Sequence, residues 1–221
     1  MLFRSIVLDC GANVGVFVKK ALSRGAARVI AIEPAPENIA VLRKNFAAEI
    51  ASGKVTIYEK GVWDKDDVLG MHIDPADSAR DSFVRQSEGA KELRIPVTTI
   101  DHLVAELGLP RVDFIKMDIE GMEKLALQGA EETIKTCKPI LYVENDREEK
   151  SKELIEFIDS LDYVIYKHLA PLYNPNNYYN DKEDVFINES GMQIVSGNVF
   201  CHHKDVQCPI DTKKFAMEKI N

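Results

Sequence analysis

Short apolar runs recur along the chain, each closed by turn residues, with amphipathic stretches between them. Residues 5–10 (SIVLDC) are apolar up to an acid and then give way to Gly11-Ala12-Asn13-Val14-Gly15. That pattern predicts a buried strand, a tight turn and a helix over 14–24. Residues 28–32 (RVIAI) predict a second buried strand ending at Glu33-Pro34, and residues 36–50 a helix with Pro36 in its first turn. Residues 54–58 (KVTIY) alternate as a third strand. The β-α-β-α-β spacing is that of a parallel, doubly wound sheet.

The rhythm breaks in the middle of the chain. Residues 61–64 and 68–73 predict a hairpin around Lys65-Asp66-Asp67, residues 74–91 are polar and irregular, and 94–97 predict a short strand. Helices over 100–107, 122–135 and 148–161 then alternate with strands over 112–117, 139–143 and 163–166. An Asn- and Tyr-rich loop fills 171–184, and 197–202 predicts the last strand. The tail over 205–221 is charged and predicts a frayed helix after Pro209. With no repeat and no linker, a single domain over 1–221 is expected, its core about 4–204.

Composition narrows the classes. Of 221 residues 45% are apolar and 29% charged, the balance of a globule rather than a disordered chain. The net charge of −8 argues against a nonspecific nucleic-acid binder. No apolar run approaches the ~18 residues of a membrane span. The apolar stretch at the N-terminus is too short for a signal peptide, and the four cysteines form no CxxC. Reduced thiols and a cytoplasmic location are the expectation.

Chemistry concentrates at three places. The first is Asp9-x-Gly11-x-x-x-Gly15 after the first strand. Glycines let a backbone approach a ligand, and a helix N-terminus offers free N–H groups. A dinucleotide fingerprint would carry glycine where Asn13 stands. An acid at the strand end would repel a pyrophosphate and suits a ligand bearing an ammonium, as S-adenosylmethionine does. The same turn can also be a purely structural connection. The second place is Glu33 at the end of the second strand, where a carboxylate can accept both hydroxyls of a ribose. The third is the segment from Asp113 to Gly121 (DFIKMDIEG), an apolar strand interrupted by Lys116 and ending in two acids. If the chain stays extended, Asp118 and Glu120 point the same way, into the crevice at the C-terminal strand ends. Asp118 is expected beside Asp9 in the sheet. Glu120 and Glu123 can equally be acids that favour a helix N-terminus, a reading that covers Glu123 best.

These residues carry a family resemblance. VLDCGANVGVF, VIAIEPAPENIAVLRKN, RIPVTTIDHLV, VDFIKMDIEGMEKLALQGAEETI, KPILYVE and LYNPNNYYND together resemble the FkbM-type S-adenosylmethionine-dependent methyltransferases. The resemblance implies an α/β Rossmann-like class I methyltransferase fold. Its sheet would have seven mostly parallel strands, an antiparallel last strand and helices on both faces. It implies O-methylation of a small-molecule or sugar hydroxyl. It places Asp9, Gly11, Asn13, Gly15 and Glu33 around the cofactor, with Ala12 and Pro34 beside them. By the same resemblance Asp118 lies at the cofactor's methionine end, and Gly61 and Val62 near its adenine. The loop over 74–85 matches only loosely.

Candidates to take the acceptor's proton are Asp118, Glu120, Glu144 and His168, each near a predicted strand end. Asp118, Glu120 and Glu144 could alternatively gather a magnesium ion, though no metal site is assigned. His202 and His203 face opposite ways on a strand and are not expected to share an ion; surface and half-buried places are expected for them. Residues 174–179 can line a polar, aromatic-walled substrate cleft or form an ordinary turn cluster. Two other functions stay open: a noncatalytic cofactor-binding module of the same fold, and an NAD-type oxidoreductase, against which the missing GxGxxG counts. The glycine turn begins so early that a core without a helix ahead of the first strand is expected. Its cleft would be open, or closed by the 74–85 and 171–184 loops, by a second subunit of a homodimer, or by an upstream segment.

Overall fold

A computed structural model describes residues 4–73, 91–173, 175 and 182–220 of the chain. The first elements are β1 (Ile6–Cys10), α1 (Val16–Ser23), β2 (Arg28–Ile32), α2 (Pro36–Asn45), α3 (Ala47–Ala51) and β3 (Val55–Tyr58). There follow β4 (Gly61–Val62), β5 (Asp67–Ile73), β6 (Lys91–Thr98), α4 (Ile100–Glu106) and β7 (Phe114–Met117). The chain continues through α5 (Glu123–Gln128), α6 (Glu131–Cys137), β8 (Ile140–Glu144) and α7 (Glu148–Ser160). It closes with β9 (Tyr163–Pro171), β10 (Val195–His203) and β11 (Glu218–Ile220).

The main sheet runs β11-β9-β10-β8-β7-β1-β2-β3. β1 pairs in parallel with β2 and β7, and β7 in parallel with β8. β10 runs antiparallel between β8 and β9, as expected of the last strand. One expectation is corrected: among the described residues the sheet has eight strands, not seven. The eighth comes from the charged tail, where Glu218–Ile220 pairs antiparallel with β9 instead of fraying as a helix. β9 has an unpaired side that accepts it, and Ile220 packs against the core.

Alternation along the strands sorts the core into two layers. Leu8, Cys10, Ile30, Ile115, Met117, Leu141 and Val143 point to one face, under Leu127 and Ile134 of α5 and α6 and Leu154 and Ile158 of α7. Val7, Val29, Ala31 and Val55 point to the other, under Val18 and Ala21 of α1 and Leu42 of α2. Each fully buried aliphatic side chain stabilises by about 1.5–3 kcal/mol.

Two helices expected as single elements are broken. Phe46 interrupts the expected 36–50 helix; it is buried and packs with Leu42 in the core. The expected 122–135 helix stops at Gln128, just before Gly129, and Asp101 of α4 starts a new one. Its carboxylate accepts from the N–H groups of Glu132 and Thr133 and from the Thr133 hydroxyl. The expected hairpin between 61–64 and 68–73 is absent as well. β5 pairs antiparallel with β6, and β4 pairs parallel with β6, in a separate three-stranded sheet. β9 is longer than expected and keeps its pairing with β10 to Pro171, which carries His168 inside a strand. The loop over 74–85 lies outside the described residues, as do 174 and 176–179 of the candidate cleft.

Candidate active site

β1 and β7 are adjacent, with Asp9 in register with Lys116. The Asp9 side chain is wholly buried, and the Lys116 ammonium lies 3.5 Å from its Oδ1 and 3.3 Å from Oδ2 of Asp118. The same ammonium donates to the Gly11 carbonyl at 3.0 Å. Neither Asp9 oxygen accepts a well-formed hydrogen bond among the described residues, so Lys116 supplies charge rather than a bond. Burial pushes the Asp9 carboxyl up to about 6, although Lys116 opposes the shift. Burial alone would lower Lys116, but Asp9 and Asp118 outweigh it and hold the ammonium above its ordinary range. The expectation that Asp118 neighbours Asp9 in the sheet is corrected: Asp9 is in register with Lys116, which looked from sequence only like an interruption, and Asp118 follows the end of β7 on the far side of that ammonium.

The glycine turn differs from its expected role. Gly11, Asn13 and Gly15 have φ of +76°, +47° and +93°. A Cβ on Gly11 would stand 2.0 Å from the Asp118 carbonyl oxygen, and one on Gly15 2.2 Å from the Phe46 ring. Close packing of the turn thus requires both glycines. The N–H groups are not free either. Those of Gly11 and Ala12 both donate to the Ile32 carbonyl at 3.1 Å, and that of Gly15 to Ala12 at 2.9 Å. The Asn13 N–H donates to Oε2 of Glu33 at 2.7 Å.

Glu33 is 4% exposed and joins three segments. Its Oε1 accepts from the Ala35 N–H at 2.9 Å and lies 3.4 Å from the Asn38 amide nitrogen, while Oε2 holds the turn. Pro34 lies between these contacts, half-buried. The end of β2 and the glycine turn are thereby one cradle. Gly61 and Val62 are buried in β4, and Val62 packs in the core, so only their backbone can face a ligand. Beyond them Asp66 accepts from the Thr98 hydroxyl and meets Nδ1 of His102 at 2.9 Å, tying the small sheet to α4.

After Met117 the chain does not stay extended. Glu120 has φ of +59° and Gly121 of +92°. The turn nevertheless brings carboxylate oxygens of Asp118, Glu120 and Glu144 within 4.8 Å of one another. Asp118 is the open member, its side chain 45% exposed. Glu120 is paired with Arg147, and Lys150 donates to the Gly121 carbonyl at 2.7 Å. Glu123 corrects its sequence reading: it is buried rather than solvated, and its Oε1 accepts from the N–H groups of Ile119 and Gly121 at 3.1 and 3.0 Å. Burial pushes the Glu144 carboxyl up to about 9, reinforced by Asp118, Asp146, Glu120 and Glu123.

His168 does not join the carboxylates. Its Nδ1 lies 2.8 Å from the Tyr142 hydroxyl, and burial lowers its pKa. His202 is buried more deeply than expected, with Nδ1 on the Val206 carbonyl at 2.9 Å. His203 is half-buried. All four cysteines are free thiols. Arg147 and Tyr142 are residues that sequence reasoning missed, and Lys116 and Glu123 were seen there without the contacts that they make. The visible signal for Lys116 was a cation inside an apolar strand; for Tyr142 it was the alternation of ILYVE.

These parts fit a cationic nucleoside cofactor. Even with Glu144 held protonated by burial, the carboxylates of Asp9, Glu33, Asp118 and Glu120 outnumber the Lys116 ammonium and the Arg147 guanidinium among them. That surplus favours a ligand bearing a sulfonium and an ammonium and disfavours a pyrophosphate.

A sequence profile described as the methyltransferase FkbM domain matches residues 9–165. The chain belongs to the FkbM methyltransferase family. Among its curated relatives, the 31-O-demethyl-FK506 methyltransferase FkbM of Streptomyces tacrolimicus is 28% identical over 157 residues, covering 58% of this chain and 60% of its own length. The 2-O-methyltransferase NoeI of Sinorhizobium fredii is 23% identical over 159 residues, covering 65% and 64%. The chain thus spans less than two thirds of the length of the curated relatives it matches. Among solved structures, methyltransferase FkbM from Methylobacillus flagellatus superposes with a TM-score of 0.59 at 23% identity, over 90% of this chain and 43% of that one. An O-methyltransferase from Bacillus cereus in complex with SAH gives 0.51 at 11% identity, over 91% and 74%. At these identities the structural likeness is one of fold, the class I methyltransferase sheet. The FkbM match contains the cradle from Asp9 to Asp118; His168 lies just beyond it.

Proposed function

We propose that the chain is an S-adenosylmethionine-dependent O-methyltransferase acting on a hydroxyl of a small molecule or sugar. The observation that carries this reading is Glu33, which binds the glycine turn to the end of β2 in a single anionic cradle. The names of the curated relatives, both methyltransferases of defined oxygens, support the choice of oxygen. When bound, the cofactor supplies a sulfonium methyl group open to attack by an oxygen nucleophile.

The residues we assign to holding it are Asp9, Gly11, Ala12, Asn13, Gly15, Glu33 and Pro34 at the turn, Gly61 and Val62 toward the adenine, and Asp118 toward the methionine. Asp9 acts through Lys116 and the Gly11 carbonyl, because its own side chain is buried. Asp118, Glu120 and His168 are assigned to the acceptor end. Asp118, the exposed carboxylate of the group, is the one we assign to take the hydroxyl proton. Glu120, held by Arg147, shapes that end of the crevice. Alignment and exclusion of water do most of the remaining work in an in-line displacement. An NAD-type reaction fits less well, since the Gly11 and Ala12 amides that would bind a pyrophosphate already donate to Ile32.

The test is transfer of labelled methyl from S-adenosylmethionine to a panel of sugar, lipid and polyketide hydroxyls. Label on an oxygen, lost in Asp118→Asn, supports the reading. Cofactor binding with no transfer to any acceptor would favour the noncatalytic module.

A further inference from the structure

Tyr142 and His168 stand on different strands with β10 between them. Tyr142 of β8 is in register with Phe200 of β10, and Phe200 with Tyr166 of β9, two residues before His168. Residues in register share a sheet face, so Tyr142, Phe200 and His168 point the same way. It is also the face of Lys116 and Asp9, since Tyr142 is in register with Lys116. Phe200 is 5% exposed and lies against the Tyr166 ring, centroids 6.4 Å apart. The phenol reaches diagonally over β10 and ends 2.8 Å from Nδ1 of His168, the two rings tilted by 58° at 5.8 Å. Among the described residues the His168 ring makes no other hydrogen bond.

The polarity of this bond follows from the two partners. A phenol O–H is a better donor than an imidazole N–H, and a bare imidazole nitrogen is a better acceptor than a phenol oxygen. Both groups are neutral near pH 7. Burial pushes the Tyr142 hydroxyl up to about 12, and burial lowers His168. The favoured arrangement is O–H donating to Nδ1, which leaves the ring proton on Nε2.

We propose that Tyr142 is a positioning residue that locks His168 with its proton on Nε2, so that His168 donates a hydrogen bond to an oxygen of the acceptor instead of removing the acceptor's proton. His168 would then select acceptors with an oxygen lone pair at that place, and the proton would go to a carboxylate. The donor role rests on the methyl-transfer reading; the tautomer does not.

The tautomer is tested on the whole chain by nitrogen-15 NMR of labelled histidine, with the His168 signals assigned by their loss in His168→Gln. The expected result is a proton on Nε2 and a bare Nδ1, shifting toward a mixture of tautomers in Tyr142→Phe. A proton on Nδ1 in the unaltered chain, or a tautomer unchanged in Tyr142→Phe, overturns the lock.

The donor role is tested with S-adenosylmethionine and whichever hydroxyl of the panel accepts methyl. Glutamine keeps an N–H donor near the Nε2 position but cannot act as a base. His168→Ala should raise the acceptor KM roughly tenfold, and His168→Gln, which keeps the donor, should bring the KM back to within about threefold of the unaltered chain. A fall in kcat of about 100-fold in His168→Gln at unchanged KM would make His168 the base and overturn the donor role. If no acceptor is methylated, the donor role falls together with the methyl-transfer reading, whereas the NMR result stands or falls alone.

Discussion

The Lys116 ammonium lies 3.5 Å from the buried carboxylate of Asp9, across the β1–β7 pair at the base of the crevice. Removing one member of a buried ion pair leaves the other uncompensated, at about 3–5 kcal/mol. Lys116→Met should destabilise the fold by about that much at pH 8, measured by urea denaturation. The loss should shrink toward pH 5, where Asp9, already raised to about 6, takes up a proton. The double variant Asp9→Asn, Lys116→Met should recover part of it. Equal stability of Lys116→Met and the unaltered chain would show that the pair is not coupled.

Gly11 and Gly53 make a matched comparison. Both have positive φ, +76° and +73°, but only Gly11 is crowded, by the Asp118 carbonyl. Gly53→Ala should cost about 1 kcal/mol from backbone strain alone. Gly11→Ala adds a collision with backbone and should cost more than about 3 kcal/mol or prevent folding. Thermal melting of the two variants side by side distinguishes strain from crowding.

Glu123→Ala should loosen the loop from Ile119 to Gly121 by removing the acceptor of two N–H groups. A cost of about 1–3 kcal/mol is expected. Amide exchange at Ile119 and Gly121 should quicken more than at Ile115, which lies in the sheet. Uniform exchange along the segment would refute the clasp.

Glu144 gives the pH dependence. Its folded pKa, about 9, lies above the usual carboxylate value of 4.5, so the native state binds the proton more tightly. Its contribution to stability is complete below about pH 4.5 and is lost as pH rises toward 9. Glu144→Gln cannot ionise. It should melt close to the unaltered chain at pH 5 and several degrees higher at pH 9, a gain of about 1–3 kcal/mol. A gain of the same size at both pH values would point away from ionisation.

The sequence displayed local features well and long-range partners poorly. The glycine turn, Glu33 and the strand-ending acids are contiguous or regularly spaced, so periodicity and turn chemistry reveal them. What stayed hidden depends on register or on a distant segment. Lys116 meets Asp9 only because β7 pairs with β1 in one register. Phe46 and Asp101 break helices through contacts with other elements, which propensity within the helix does not record. The tail strand needs the edge of β9 to exist first. Tyr142 and His168 are 26 residues apart with an inserted strand from later in the chain between them, a placement no local pattern contains.

We assign S-adenosylmethionine to the cradle between Gly11 and Glu33. Calorimetric titration of the chain with S-adenosylhomocysteine, beside the same titration with NAD, tests it most directly. Saturable binding of S-adenosylhomocysteine, weakened at least tenfold in Glu33→Ala and not matched by NAD, is the predicted result. No binding by a chain whose melting transition is intact, or tighter binding of NAD, would rule this assignment out.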